Sequence, residues 1–327
     1  MEKSTRPSPS RLQEILRRQD PPGFATQYRP AIKASREEAP SRSRPAWVWW
    51  EPAGRYLSTL SSVERSILMV CLYNDHLWEV HDQRMLPAVP RPHPLSAHPK
   101  AEGMILPPMR GTVEIAESLG VLPFHPIVRV PKQNGARKFD TVPFPWIGDF
   151  LLFLEDAQGP YCVNLTVKGH AGEFEQADTD VVKGNAQRRH AQDKAFARHT
   201  VEQLLYADVG IRTVRLTQAD YDPEVVASLT QLCLWHNRKT PFNSEQDQTI
   251  LDNFRAALAN GVPPLEVFVA LSARFGWTVY TLKIALFQAI WRRDLRVDLF
   301  SPIFLDRPLQ PETRDVLAVY RDWFRRG

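Results

Sequence analysis

The feature that most restricts the fold is a pair of neighbouring apolar runs, Trp146–Leu154 and Tyr161–Lys168, separated by Asp156-Ala157-Gln158-Gly159. Each run has the length and composition of a strand, and the residues between them have hairpin composition. A sheet therefore lies at the middle of the chain. Around it, apolar spacing predicts a helix from about Leu60 to Tyr73, a short strand from Leu77 to His81 and a long helix from about Asn185 to Ala207. A strand from Ile211 to Leu216 and a helix from about Pro223 to Trp235 follow. Strands and helices that alternate around a hairpin define a mixed α/β domain, expected over about 46–238.

The flanks read differently. Residues 1–45 carry Pro7, Pro9, Pro21, Pro22, Pro30, Pro40 and Pro45 among Ser and Arg, the composition of a disordered basic tail. Within it, Leu12–Arg18 is either a solvated stretch or a helical turn or two laid on a partner. Residues 87–131 are proline-rich and read as an insertion, with His93 and His98 as surface histidines. Towards the end, helices are expected over Ser244–Asn260, Pro264–Phe275 and Tyr280–Arg293, then a strand at Leu295–Leu299. That is the order of a winged helix-turn-helix over 243–307, a domain that touches DNA or docks on protein. In the 308–327 tail, Arg314–Arg326 reads as an amphipathic helix that caps this domain or docks on a partner.

Composition excludes little. The net charge of +4 does not announce nucleic acid. Cys71, Cys162 and Cys233 are widely spaced in apolar runs, as buried free thiols of a reducing cytoplasm are. No apolar stretch approaches the roughly 20 residues a membrane span needs, and the N-terminus lacks a signal-type apolar core. A cytoplasmic protein with no membrane partner is expected.

One set of residues stands out chemically: Glu64 on the first predicted helix, Asp149 at the start of the hairpin and Lys168 at its end. Paired carboxylates hold Mg²⁺, which polarises a phosphodiester and activates water, while a lysine orients that water or neutralises developing charge. Strand alternation turns Asn164, Thr166 and Lys168 to one face, within reach of Asp149 across the hairpin. Taken alone, three such residues fit the bland alternative, charges at strand ends, better. Arg188, Arg189, His190, Lys194, Arg198 and His199 give the long helix a basic face, either a phosphate track or a solvated surface. Trp47, Trp49 and Trp50 fit a core or interface patch better than a base-stacking platform.

These residues carry a resemblance. Ser61-Ser62-Val63-Glu64-Arg65, continued by Asn74-Asp75-His76-Leu77-Trp78-Glu79-Val80 and Gln83, is similar to the S-x-x-E helix, turn, strand and glutamine of the TnsA-type endonucleases of heteromeric transposases. Gly148-Asp149-Phe150-Leu151-Leu152, then Val163 to Lys168 and Gly169, resembles that family's D-F-L-V strand and its V-K-G ending. Tyr206–Ile211 with Leu216-Thr217-Gln218-Ala219-Asp220 is similar to the end of its nuclease domain, and Leu286–Leu299 looks like its winged-helix region.

The resemblance implies a restriction-endonuclease-like core followed by a winged-helix-like domain. It places Glu64, Asp149 and Lys168 at catalytic positions. Glu64, Asp149 and the residue two before the lysine would hold Mg²⁺, with Mn²⁺ substituting. That third residue is glutamine or glutamate in the family and Thr166 here, a poorer ligand. The implied partners are transposon-end DNA, an integrase-type transposase subunit and an AAA+ ATPase; on the basic helix face, Arg188, Arg189, Lys194 and Arg198 are the expected DNA contacts. The implied activity is cutting of the non-transferred strand. Two alternatives stay open: a stand-alone restriction or repair nuclease, and a nuclease-fold adaptor that has lost its metal.

Overall fold

A computed structural model describes residues 7–41, 43–131, 139–174 and 185–327, with backbone only for 185–189. In chain order the elements are α1 (Pro9–Gln19), β1 (Ala46–Trp50), β2 (Arg55–Thr59), α2 (Ser62–Leu72), β3 (Leu77–Met85), α3 (Thr112–Ser118), β4 (Ile127–Pro131) and β5 (Phe139–Pro143). There follow β6 (Ile147–Asp156), β7 (Gly159–Val167), α4 (Asn185–Ala207), β8 (Arg212–Leu216), α5 (Pro223–His236), α6 (Ser244–Asn260), α7 (Pro264–Phe275), α8 (Val279–Trp291) and α9 (Val316–Val319). The chain is mixed α/β.

It divides into two compact units. The sheet unit holds the chain up to Arg65, His76–Asp220 and Trp323–Gly327; the helical unit holds Ser66–Asp75 and Tyr221–Asp322. The boundary expected near residue 238 lies instead at 220, because α5 packs on α8. Among the described residues, no helix is long and apolar enough to cross a membrane.

The main sheet of the first unit has the order β3-β6-β7-β8. β3, β6 and β7 are antiparallel neighbours, and β8 pairs with β7 in parallel. The expected hairpin is present: the Asp156 carboxylate accepts from the Gln158 N–H (2.8 Å), and Gly159 closes the turn at φ 100°, where a side chain would be strained. One sheet face, through Leu151, Phe153 and Cys162, packs on Val201, Leu205 and Tyr206 of α4.

The proline-rich stretch after β3 is part of this unit's core rather than a loose insertion. Leu95, Met109 and Ile115 are buried with the α4 residues. His93, expected at the surface, is buried, and its Nδ1 accepts from the Leu95 N–H (3.1 Å).

The N-terminal reading also needs correction, because residues 9–19 form a helix. Ser8 caps α1 by accepting from Arg11 N (3.3 Å), and Pro9 sits in the first turn, where a missing N–H costs nothing. Leu12 and Ile15, one helical turn apart, bury themselves with Met85, Val128 and Phe144. Few apolar residues suffice because Gln19 is satisfied by backbone groups. Gln19 accepts from Met85 N (2.7 Å) and donates to Arg29 O (2.8 Å).

In the helical unit, α6, α7 and α8 occupy the expected spans. α6 opens with a capping box between Asn243 and Gln246, and Gly261 ends it in the left-handed region. α8 is the central helix of this unit: Leu282, Ile284, Leu286, Phe287 and Ile290 are all buried, against α5, α6 and α7. The strand expected at Leu295–Leu299 is reduced to one bridge, Val297 to Pro311. The amphipathic helix expected at Arg314–Arg326 is only α9 and a 3-10 turn at Arg321–Trp323. Beyond it, Arg326 pairs with Asp156 (2.6 Å) and Phe324 O accepts from the Tyr161 hydroxyl (2.8 Å), contacts that a continuous helix would forfeit.

Candidate functional site

The site begins with a helix start. Ser61 Oγ accepts from Glu64 N (3.0 Å), while the Glu64 carboxylate turns back to accept from Leu60 N (2.8 Å). The S-x-x-E spacing thus does local work as a variant of the capping box, whatever else Glu64 does. Its position in the first turn leaves the carboxylate buried, and Gln83 of β3 donates to the same oxygen (3.0 Å). Gln83 stands at φ 47°, a left-handed conformation unusual for a side chain of its size. The N-terminal segment holds it there: Gln83 O accepts from Ala31 N (3.0 Å) and from Gln19 Nε2 (3.4 Å).

Asp149 enters from β6. The β6–β7 ladder ends at the Phe150–Leu165 pair, and beyond it the Asp149 side chain accepts from Val167 N (2.7 Å). Asp149 and Glu64 are close enough to sense each other. Burial, then the charge of Asp149, push Glu64 up to about 8, so it holds a proton at neutral pH. Lys168, half-buried after β7, adds a positive charge that Glu64 also feels. Glu64, Asp149 and Lys168 are therefore brought together from three separate elements.

Thr166 does not join this pair as a free ligand. Its hydroxyl donates to Glu202 Oε1 (3.3 Å), and Asn164, two residues earlier on the same face, donates to that atom as well (3.2 Å). Glu202 projects from α4 and is 1% exposed. A Cβ on Gly148 would stand 3.1 Å from its Oε1, so a side chain there would crowd the carboxylate. Glu202 Oε2 has no hydrogen-bond partner among the described residues. The nearest cation candidate, His199 Nδ1 at 4.0 Å, is pushed down to about 3 by burial and is neutral. Burial in turn raises Glu202, with Asp149's charge adding to the effect.

Glu202 was missed in the sequence because a glutamate on a charge-rich helix reads as solvated. Its signal was the i, i+4 series Arg198, Glu202, Tyr206, which runs beside the buried Val201 and Leu205.

Of the basic residues expected to contact DNA, Lys194 is exposed. Arg198 is half-buried and donates to Ile147 O (2.6 Å), so it is committed to the sheet. Arg188 and Arg189 fall among the residues whose side chains lie outside the described ones. Trp47 and Trp49 are exposed beside Tyr56, while Trp50 is buried.

Among the described residues, no group of three or more His, Cys, Asp or Glu side chains is arranged to hold a metal. Glu64 and Asp149 supply two hard oxygen donors, and Mg²⁺ is commonly held by one or two carboxylates with water and substrate phosphate completing the shell. Compared with known proteins, the chain matches no family model and no curated protein.

Proposed function

We propose that this chain is the Mg²⁺-dependent endonuclease subunit of a cut-and-paste DNA transposase, hydrolysing the non-transferred strand at the element's ends. One observation carries the reading: Glu64, Asp149 and Lys168 converge, with Glu64 held protonated by burial and by Asp149's charge. Two buried carboxylates that repel each other favour a divalent cation between them. A cation bound there would polarise the scissile phosphate and lower the pKa of an attacking water. The ammonium of Lys168 neutralises charge on the phosphate. Gln83 holds the Glu64 carboxylate, and Glu202 fixes Asn164 and Thr166 beside it. The sheet order, with three antiparallel strands and one parallel neighbour, is compatible with a restriction-endonuclease-like core. The interior position of α8 favours a winged-helix-like module that docks on protein over one that reads a groove. An integrase-type subunit and an AAA+ ATPase are the partners this reading requires.

The second reading is an adaptor without metal. It draws on Thr166, engaged by Glu202, and on the lack of a three-residue ligand group among the described residues. One experiment separates the two. Glu64→Gln, Asp149→Asn and Lys168→Met are assayed for nicking at transposon ends in the assembled complex with Mg²⁺. The nuclease reading expects losses on the order of a hundredfold or more, leaving a 5′-phosphate and a 3′-hydroxyl in the residual product. Wild-type rates in all three variants would replace it with the adaptor.

A further inference from the structure

A second feature of the sheet unit has no part in that chemistry. A cavity of about 110 Å³ opens between the turn after α1 and the stretch after β3. Its walls are mostly apolar, with Phe24, Met85, Met109 and several prolines. One of its lining residues is Arg84, 8% exposed.

The guanidinium of Arg84 contacts His81 Nδ1 and the Tyr206 hydroxyl. Neither supplies negative charge. His81 is held well below the usual histidine range by burial, and Tyr206 is pushed above the usual phenol range by burial too. Among the described residues no carboxylate lies within ion-pair distance of Arg84. Arg91, at the cavity's edge, pairs with Asp20 (2.6 Å), yet its Nε is a buried donor with no partner. His93 also lines the space and is neutral, pushed down to about 4 by burial. Arg84 thus makes no ion pair of its own among the described residues, and Arg91 keeps one donor free at the cavity's edge.

We propose that this cavity binds a small monocarboxylate with a compact apolar body, its head on Arg84 and its body against Met85, Met109 and Phe24. A planar guanidinium matches a carboxylate in two hydrogen bonds. The apolar walls disfavour inorganic phosphate, a more strongly hydrated ion. The volume of about 110 Å³ is below the roughly 150 Å³ of a cavity that admits a benzene ring, which limits the body to a compact ring or a short branched chain. This inference is independent of the nuclease reading.

The test is calorimetric titration of the full chain, in Mg²⁺-free buffer, with benzoate and 3-methylbutanoate as probes and inorganic phosphate as comparison. Saturable one-to-one binding of at least one carboxylate is expected, tenfold or more weaker in Arg84→Met. Met109→Trp, which fills the cavity and keeps Arg84, is expected to abolish binding. Circular dichroism reports whether each variant is folded. If Arg84→Met is unfolded, Met109→Trp decides, and binding unchanged there overturns the site. Absence of binding by both carboxylates, unaltered binding in folded Arg84→Met, or phosphate binding as tightly as the carboxylates would each overturn it.

Discussion

Two clusters of buried carboxylates stand in the sheet unit, and they are settled in opposite ways. Glu79 and Asp82 share Arg55, with Arg55 to Asp82 at 2.7 Å and to Glu79 at 3.3 Å. Their remaining oxygens are taken by backbone donors: Ser58 N reaches Asp82 (2.7 Å), and Ala25 N reaches Glu79. Among the described residues, Glu64, Asp149 and Glu202 have no Arg or Lys in a direct ion pair with them. Lys168 and Arg198 contribute charge from nearby, but Arg198 spends its hydrogen bond on a carbonyl, and one Glu202 oxygen is left bare. The helical unit sharpens the contrast, since every buried Asp, Glu, Arg and His among the described residues belongs to the sheet unit. A closed cluster joins segments of chain. An open one is a place where something else completes the charge balance.

The largest expected effect comes from opening the closed cluster. Arg55→Met leaves Glu79 and Asp82 buried without their cation. It should destabilise the fold by about 3–5 kcal/mol, read from urea unfolding. A loss under about 1 kcal/mol would mean that the backbone donors alone hold these carboxylates.

The converse change, in the open cluster, should stabilise. Glu64 is raised to about 8 in the folded chain, against an ordinary value of 4.5. Between those values the folded state binds the extra proton. Glu64's contribution is therefore fully present at low pH and lost as pH rises through about 8. Glu64→Gln removes this dependence. Relative to wild type it should gain on the order of 2 kcal/mol between about pH 5 and pH 8. That is below the linkage limit of about 1.4 kcal/mol per pH unit. Saturating Mg²⁺ at the upper pH should narrow the gap by stabilising the wild type alone. Parallel pH curves for the two proteins would show that neither burial nor Asp149 raises Glu64 in the folded chain.

These two clusters were not equally visible in the sequence. Glu64, Asp149 and Lys168 each sit where a strongly patterned element begins or ends, and local periodicity located α2, β6 and β7 well enough to bring them together. The boundaries of α4, α6 and α7 were legible for the same reason, through apolar stripes and through caps such as Asn243 and Gly261. Arg55 and Asp82 are 27 residues apart, and no local pattern encodes their pairing. The helix at Pro9–Gln19 was legible only as an alternative, a turn or two within Leu12–Arg18, because proline count outweighed two apolar residues one turn apart, and its anchoring depends on β3, far along the chain. Glu202 was hidden because its burial depends on which face of α4 meets the sheet.

Gln83 is where the two clusters meet, and it allows the finest test. It follows Asp82 in β3, and its amide donates to Glu64. Two terms act at this position with opposite dependence on the side chain. The left-handed backbone costs any side-chain-bearing residue on the order of 1 kcal/mol and costs glycine nothing. The hydrogen bond to a buried carboxyl contributes about 1 kcal/mol and is lost on truncation. Gln83→Gly should therefore be near neutral, the two changes offsetting, although glycine's greater freedom in the unfolded chain takes back part of the gain. Gln83→Ala keeps the strain and loses the bond, so it should be less stable than both by about 1 kcal/mol. Equal stability of the alanine and glycine variants would show that the backbone is not strained, leaving the side chain's hold on Glu64 as the whole contribution.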